Sequence, residues 1–199
     1  RFLHRMMIPK SYVDVTLSSG MPNTQRNRIL GGLLEEFLKE VYSNGAIREL
    51  SPKSTVSSSI EFYPEEILKC RSRFETDSAG VQEILNVLES KLKEIVYDGI
   101  SDEQFAQLKK NYRKVILSAM DRNSYWVDNF VVNYLLGKDM HQGYMAEIAG
   151  ITAKDFCSFV DKLYRRGNRI TVVMEGTTQD VNTQNLFREN QFIRDYFDL

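Results

Sequence analysis

The chain has 199 residues, with 26 Lys and Arg against 27 Asp and Glu, which leaves a net charge of −1 at pH 7. This balance argues against a nucleic-acid partner or an anionic membrane, since both are held by excess positive charge. No apolar run approaches the roughly 20 residues that span a bilayer, so we expect a soluble protein of unassigned compartment. Because the chain begins at Arg1 rather than Met, we expect a processed product or a piece of a longer protein.

The first part of the chain alternates between strand-like and helix-like patterns. Residues 11–18 alternate apolar and polar side chains with the period of a half-buried strand. After the break at residues 20–23, a helical apolar stripe runs from Thr24 to Val41 and closes at Gly45. The runs 54–62 and 67–75 then predict an antiparallel hairpin with one wet face.

The second part is mainly helical by pattern. A helix capped by Asp77 or Ser78 extends to Gly99, and a capping box from Ser101 to Gln104 begins the next one. An apolar helix is predicted over 125–136, a further helix starts at Thr152–Asp155, and 169–174 forms a closing strand. The side chains predicted to face the core in these helices include Val115, Tyr125, Trp126 and Phe130.

This order of elements predicts an α+β fold, with an antiparallel sheet and helices packed on one face. No linker interrupts residues 11–174, so we predict one domain over 1–176 and an aromatic-rich tail over 177–199. The tail is expected to dock either on this domain or on a partner. Cys70 and Cys157 are interpreted as buried free thiols rather than as a disulfide framework.

Catalytic residue types do not assemble into a site in this sequence. A catalytic zinc site needs three N, O or S ligands with an open position. The two histidines, His4 and His141, are far apart, and neither begins the zinc motif His-x-x-Glu-His. We therefore predict a structural or surface role for each histidine and no tight zinc binding by this chain. Neither a Gly-x-Ser-x-Gly elbow nor a glycine-rich phosphate loop is present.

Two features of the first helix have simple structural interpretations. The pair Gly31-Gly32 lies inside the helical pattern, where close packing explains it. Three glutamates, Glu35, Glu36 and Glu40, are interpreted as the solvated side of this helix rather than as a metal cluster.

Several segments match one family in their order and spacing. They are SSGMPNTQRNRILGGLLEEFL (18–38), Ala46–Glu49, GISDEQF (99–105), Asn123–Trp126, Ile151–Asp155 and NRITVVM (168–174). In this series the chain resembles the C-terminal half-domain of the M16 (pitrilysin/insulinase-like) zinc metallopeptidases. The resemblance implies a LuxS/MPP-like metallohydrolase half-domain, one of two similar halves that close around a peptide.

The resemblance also implies where the metal lies. In that family one half carries His-x-x-Glu-His with a downstream glutamate, and the other half is metal-free. This chain is thus expected to be the non-catalytic half, with zinc in a partner half in the same or another chain. The alternative is an inactive scaffold or binding subunit, as the family's core proteins in respiratory complexes are.

Two positions are carried over from the family as candidate substrate contacts. The metal-free half supplies an arginine and, seven residues later, a tyrosine, which contact the substrate carbonyl and stabilise its oxyanion. Arg48 falls at the arginine position and Thr55 at the tyrosine position. A threonine hydroxyl is too short to reach across a cavity, so Thr55 is interpreted as a strand residue. For Arg48, a substrate contact and an ordinary surface arginine stay open.

Overall fold

The computed structural model describes residues 2–6, 10–61 and 66–176. Its strands are β1 (Phe2–Met6), β2 (Ser11–Gly20), β3 (Lys53–Glu61), β4 (Ile67–Thr76) and β5 (Asn168–Gly176). The helices of these ranges are α1 (Gln25–Ser43), α2 (Gly45–Leu50), α3 (Gly80–Tyr97), α4 (Asp102–Met120), α5 (Asn123–Leu136), α6 (Tyr144–Gly150) and α7 (Ala153–Arg165). The predicted tail over 177–199 lies outside the described residues, as do residues 62–65 of the hairpin turn.

The five strands form one sheet in the order β1-β5-β2-β4-β3. Four of them, β5, β2, β4 and β3, pair antiparallel, which confirms the predicted antiparallel sheet and hairpin. Strand β1 was not predicted and pairs parallel to β5, so the sheet as a whole is mixed. With only five residues, β1 is too short to show a reliable period of two.

Alternation along β2 decides which face of the sheet the helices cover. Val13, Val15 and Leu17 are buried, whereas Tyr12 on the other face is 38% exposed. Helix α7 packs on β2 and β5, and α1 packs on β3 and β4. The fold is therefore the predicted α+β arrangement, with helices on one face and the other face open.

The helices are joined to one another by an aromatic contact in the core. Phe156 of α7 is fully buried, and its ring centroid lies 6.4 Å from that of Phe37 and 5.6 Å from that of Phe105. Burying a phenylalanine side chain contributes roughly 1.5–3 kcal/mol. This cluster therefore fixes α1, α4 and α7 relative to one another.

Two helices begin at the capping boxes that the sequence predicts. Ser101 accepts from the backbone N–H of Gln104, whose side chain in turn accepts from Ser101. Thr152 and Asp155 make the same reciprocal pair at the start of α7. Each box satisfies two backbone donors that the helix itself leaves free.

The predicted cap of α3 is wrong. The helix begins after Ala79, and neither Asp77 nor Ser78 caps it through a side chain. The hydroxyl of Ser78 lies 3.2 Å from that of Ser11, which ties the helix start to the sheet instead. The carbonyl of Asp77 accepts from the N–H of Gly80 at 2.9 Å.

The predicted burial of α4 and α5 also needs correction. Val115 is 43% exposed and Phe130 is 65% exposed, so neither lies in the core. Tyr125 and Trp126 are only half-buried, and α5 contains no buried residue. The reason is that α5 packs through one narrow side against α4 and the α5–α6 connection, while its other apolar side faces outward.

The cysteines and the paired glycines have structural roles. Both cysteines are free: Cys70 is buried, as predicted, but Cys157 is partly exposed. Burial raises the pKa of the Cys70 thiol to about 12, so this thiol stays protonated. A Cβ at Gly32 would lie 2.5 Å from the Tyr112 ring, and one at Gly31 would collide with Ser58, which confirms the close packing predicted for this pair.

Candidate functional site

The face of the sheet that the helices leave uncovered carries an open cleft of about 700 Å³. Strands β2, β3 and β4 form its floor, because their outward side chains come into register there. The polar lining residues are Tyr12, Asp14, Lys53, Ser54, Thr55, Arg73 and Glu75.

One row of side chains crosses the cleft through Glu75. In the strand register Glu75 lies opposite both Tyr12 and Lys53. The Lys53 ammonium is 3.0 Å from the Glu75 carboxylate. Hydrogen bonds from Lys53 and then from Tyr12 lower the pKa of Glu75, and the bond to Glu75 raises the pKa of Tyr12. At neutral pH the row therefore holds a carboxylate between an ammonium and a protonated phenol.

The next row places two guanidinium groups around one carboxylate. Asp14 accepts from Arg71 Nε at 2.6 Å, and Arg73 Nε lies 3.9 Å from the same carboxylate oxygen. The hydrogen bond to Asp14 raises the pKa of Arg71. Both arginine side chains are about half exposed and retain N–H donors, and Arg73 is the one of the two that lines the cleft. These donors suit carbonyl or carboxylate oxygens.

Thr55 lines this cleft, whereas Arg48 is not among its lining residues. Thr55 is exposed on β3, directly across from Arg73. Arg48 is exposed in the last turn of α2, the helix that leads through Pro52 into β3. Among the described residues, the side chain of Arg48 has neither a hydrogen bond nor an ion pair. The structure thus does not bring the two positions together in the cleft.

The described residues include no group of three or more His, Cys, Asp or Glu side chains that could hold a metal ion. The prediction that the three glutamates of α1 form its solvated side holds only for Glu40, which is exposed. Glu35 and Glu36 are half-buried. The Lys39 ammonium lies 2.7 Å from Glu35 and 2.8 Å from Glu36. A cation of the protein itself therefore occupies the position between these two carboxylates.

His141 has the structural role that the sequence predicts, whereas the side chain of His4 is not described. The His141 ring stacks on Tyr144 with 5.5 Å between centroids, makes an edge contact with Tyr125 at 5.3 Å, and lies tilted against Trp126 at 5.3 Å. Burial lowers the pKa of His141, and the nearby positive charge of Arg28 acts in the same direction. The ring is therefore neutral at pH 7.

Sequence reasoning missed the charged rows of the cleft and the aromatic cluster around His141. The alternation of β2 and β4 marked Tyr12, Asp14 and Arg73 as outward, but only the strand register shows which of them meet. The cluster joins residues from α5, α6 and their connection, and no local period signals such a contact.

No protein-family model and no curated protein sequence matches the chain. Solved structures do match it. The peptidase M16 inactive domain from Pseudomonas fluorescens aligns with a TM-score of 0.65 and 14% identity, over 89% of this chain and 43% of that chain. The periplasmic protease PqqL from Escherichia coli aligns with a TM-score of 0.66 and 12% identity, over 88% of this chain and 21% of that chain.

A third neighbour is a chain of complex III2 from Candida albicans. It aligns with a TM-score of 0.66 and 12% identity, over 94% of this chain and 48% of that chain. Together these likenesses define the class: the chain has the fold of the M16-like peptidases, as the resemblance in sequence implied. The chain spans less than half the length of each of the three structures.

No helix within the described ranges is both long enough and apolar enough to cross a membrane.

Proposed function

We propose that this chain is the non-catalytic half of an M16-like zinc metallopeptidase, which pairs with a zinc-bearing half to enclose peptide substrates for hydrolysis. The observation that carries the proposal is the fold that it shares with an M16 inactive domain. Support also comes from the described residues, among which no metal-ligand group is found. The zinc and the carboxylate that activates water would then belong to the partner half.

In this proposal the open cleft forms part of the wall around the peptide. Arg73, which lines the cleft and is half exposed, offers donors to peptide carbonyl and carboxylate groups. Arg48 is the candidate contact to the substrate carbonyl, since its exposed guanidinium has no partner among the described residues. Thr55 contributes only a short hydroxyl to the floor of the cleft.

The experiment is made on the native protein purified from its source. We expect an intact mass of about twice 23.1 kDa or more, bound zinc, and chelator-sensitive cleavage of a quenched fluorescent peptide.

Arg48→Ala should lower kcat by about tenfold or more, since donors aimed at an oxyanion contribute strongly to rate. Arg113→Ala is the matched control, because Arg113 is an exposed arginine of α4 without a partner in the described part of the chain. Unchanged turnover in Arg48→Ala would remove Arg48 from the proposal.

The second candidate function is an inactive scaffold or binding subunit. Two observations favour it: the neighbour from complex III2, and Thr55 at the position where the family carries tyrosine. A zinc-free native protein near 23.1 kDa that cleaves no peptide would support this candidate. A His-x-x-Glu-His motif elsewhere in the same protein or its complex would support the peptidase instead.

A further inference from the structure

The open face of strands β2–β5 carries one more basic than acidic side chain among the described residues. The basic side chains are Lys53, Lys69, Arg71 and Arg73, and the acidic ones are Asp14, Glu61 and Glu75. Most of these charges are paired: the Lys53 ammonium lies 3.0 Å from Glu75, and the Lys69 ammonium lies 2.6 Å from Glu61. A single carboxylate, that of Asp14, is then left for two arginines.

Asp14 is engaged by Arg71 and by its own strand. One carboxylate oxygen accepts from Arg71 Nε at 2.6 Å and also contacts Arg71 Nη2, while the other accepts from the Thr16 hydroxyl at 3.2 Å. Arg73 Nε stays 3.9 Å from the first oxygen, which is beyond hydrogen-bond distance. Arg73 therefore holds the positive charge that the described carboxylates of this face leave uncompensated.

The guanidinium of Arg73 is accessible to a ligand. The Arg73 side chain is 56% exposed and lines the cleft, and its five N–H donors meet no acceptor at hydrogen-bond distance in the described part of the chain. Thr55 lies directly across from it on β3, and the threonine side chain is too short to cover a guanidinium. Arg71 differs in both respects, since it is bonded to Asp14 and does not line the cleft.

We propose that this part of the cleft is a carboxylate-binding site, in which Arg73 holds a carboxylate of the bound peptide. The site rests on the proposed function, in which the cleft holds a peptide. A guanidinium offers a carboxylate two parallel N–H donors, and such a bond is stronger than one to a neutral carbonyl. The nearby carboxylates of Asp14 and Glu75 each have a cation of their own, which weakens their repulsion of a ligand anion. Tyr12 and Met174 give the rest of the peptide apolar surface in the same cleft.

Three matched peptides test the site and identify the source of the carboxylate. They share one short acetylated sequence and a neutral fluorophore. The first has a central Glu and an amidated C-terminus, the second has Gln and an amidated C-terminus, and the third has Gln and a free C-terminus. The native full-length protein, with all its subunits, is titrated with each peptide by fluorescence anisotropy. Where the protein cleaves the peptides, kcat/KM is compared instead of Kd.

We expect at least one of the two carboxylate peptides to be favoured over the neutral peptide by about fivefold or more at low salt. Salt should weaken this preference, because it screens exposed charges. Arg73→Gln should reduce the preference to less than about twofold. The control is Lys69→Gln, which removes the same charge from the same strand and face but outside the cleft lining, and which should keep the preference.

Two results would overturn the site. One is equal binding of the three peptides by the wild type, and the other is a preference that Arg73→Gln leaves intact or that Lys69→Gln reduces equally. An unchanged Tm in both variants shows that each is folded. Zinc content and peptide cleavage test the proposed function separately. An active zinc enzyme without the preference loses only the Arg73 site, whereas a zinc-free, inactive protein that shows it keeps the site and loses only the peptidase function.

Discussion

The His141 ring shows how burial and nearby charges together set the protonation of a histidine. Its Nε2 is buried without a hydrogen-bond partner among the described residues, and its Nδ1 lies 3.5 Å from the Tyr125 hydroxyl. Burial and two charged groups influence its pKa: burial lowers it most, Asp139 raises it, and Arg28 lowers it. The sum lowers the pKa, so the native protein holds the neutral ring.

This lowered pKa predicts a loss of stability in mild acid. Below the ordinary value of 6.5 the unfolded chain binds a proton at His141 before the folded chain does. The free energy of unfolding is therefore at its full value above about pH 6.5 and decreases as the pH falls through the lower, folded pKa. Urea unfolding between pH 7.5 and 5 should show this decrease in the wild type and a smaller one in His141→Phe. Identical pH profiles would contradict it.

Gly32 is required by a close approach rather than by an unusual backbone angle. A Cβ at this position would lie 2.5 Å from the ring of Tyr112, whose hydroxyl is 2.8 Å from that of Tyr144. Tyr112 is buried and bonded, so it cannot easily move aside. The clash outweighs the roughly 1 kcal/mol by which alanine favours a helix over glycine.

We therefore expect Gly32→Ala to destabilise the protein by about 1–3 kcal/mol. The matched control is Gly150→Ala in α6, where a Cβ meets nothing within 4 Å. That change should be neutral or slightly stabilising. Chemical denaturation of both variants measures the difference, and a more stable Gly32→Ala protein would show that the core adapts to the methyl group.

Among the elements, the edge strand β3 depends on helix α1. The carboxylate of Glu35 accepts from the backbone N–H of Ser58 at 2.8 Å, which satisfies a donor on the open edge of the sheet. Edge strands with free N–H groups are sites of unwanted pairing, and a capped donor removes one of them. Glu35 thus acts as a link between helix and strand rather than as part of a solvated face.

Glu35→Ala should cost about 1–2 kcal/mol more than Glu36→Ala, because hydrogen bonds to charged groups contribute more than neutral ones. Glu36 is a suitable control, since it shares the ion pair with Lys39 but makes no hydrogen bond to β3 in the described residues. Urea unfolding gives the energies, and amide hydrogen exchange at Ser58 should accelerate only in Glu35→Ala. Equal exchange in both variants would argue against the cap.

For the molecule as a whole, the placement of side chains that could bind a metal predicts how much zinc the chain retains. The 199-residue chain should retain far less than one equivalent of zinc after dialysis against a mild chelator, because its described residues offer no set of three ligands. Elemental analysis of the dialysed chain measures this. Stoichiometric zinc would contradict the prediction and move the catalytic role into this chain.

Local features of the fold could be predicted because short stretches of sequence specify them. The capping boxes at Ser101 and Thr152, the hairpin and the helical stripe of α1 need only neighbouring residues to form. The order and spacing of these elements carried the resemblance to the M16 fold, which the structural neighbours support. For the candidate site, the resemblance to the family pointed to Arg48 and Thr55, and the alternation of β2 predicted which of its side chains face outward.

The tertiary structure decided everything that depends on contacts distant in sequence. An apolar period shows that α5 has a face for packing, but not whether this chain supplies the partner, so Phe130 is exposed although its pattern predicts burial. In the same way, Asp14 and Arg71 meet only because β2 and β4 pair in one register, and the pKa of His141 is lowered because the fold buries its ring. Such contacts reflect the chain's packing in space, which local sequence periods do not encode.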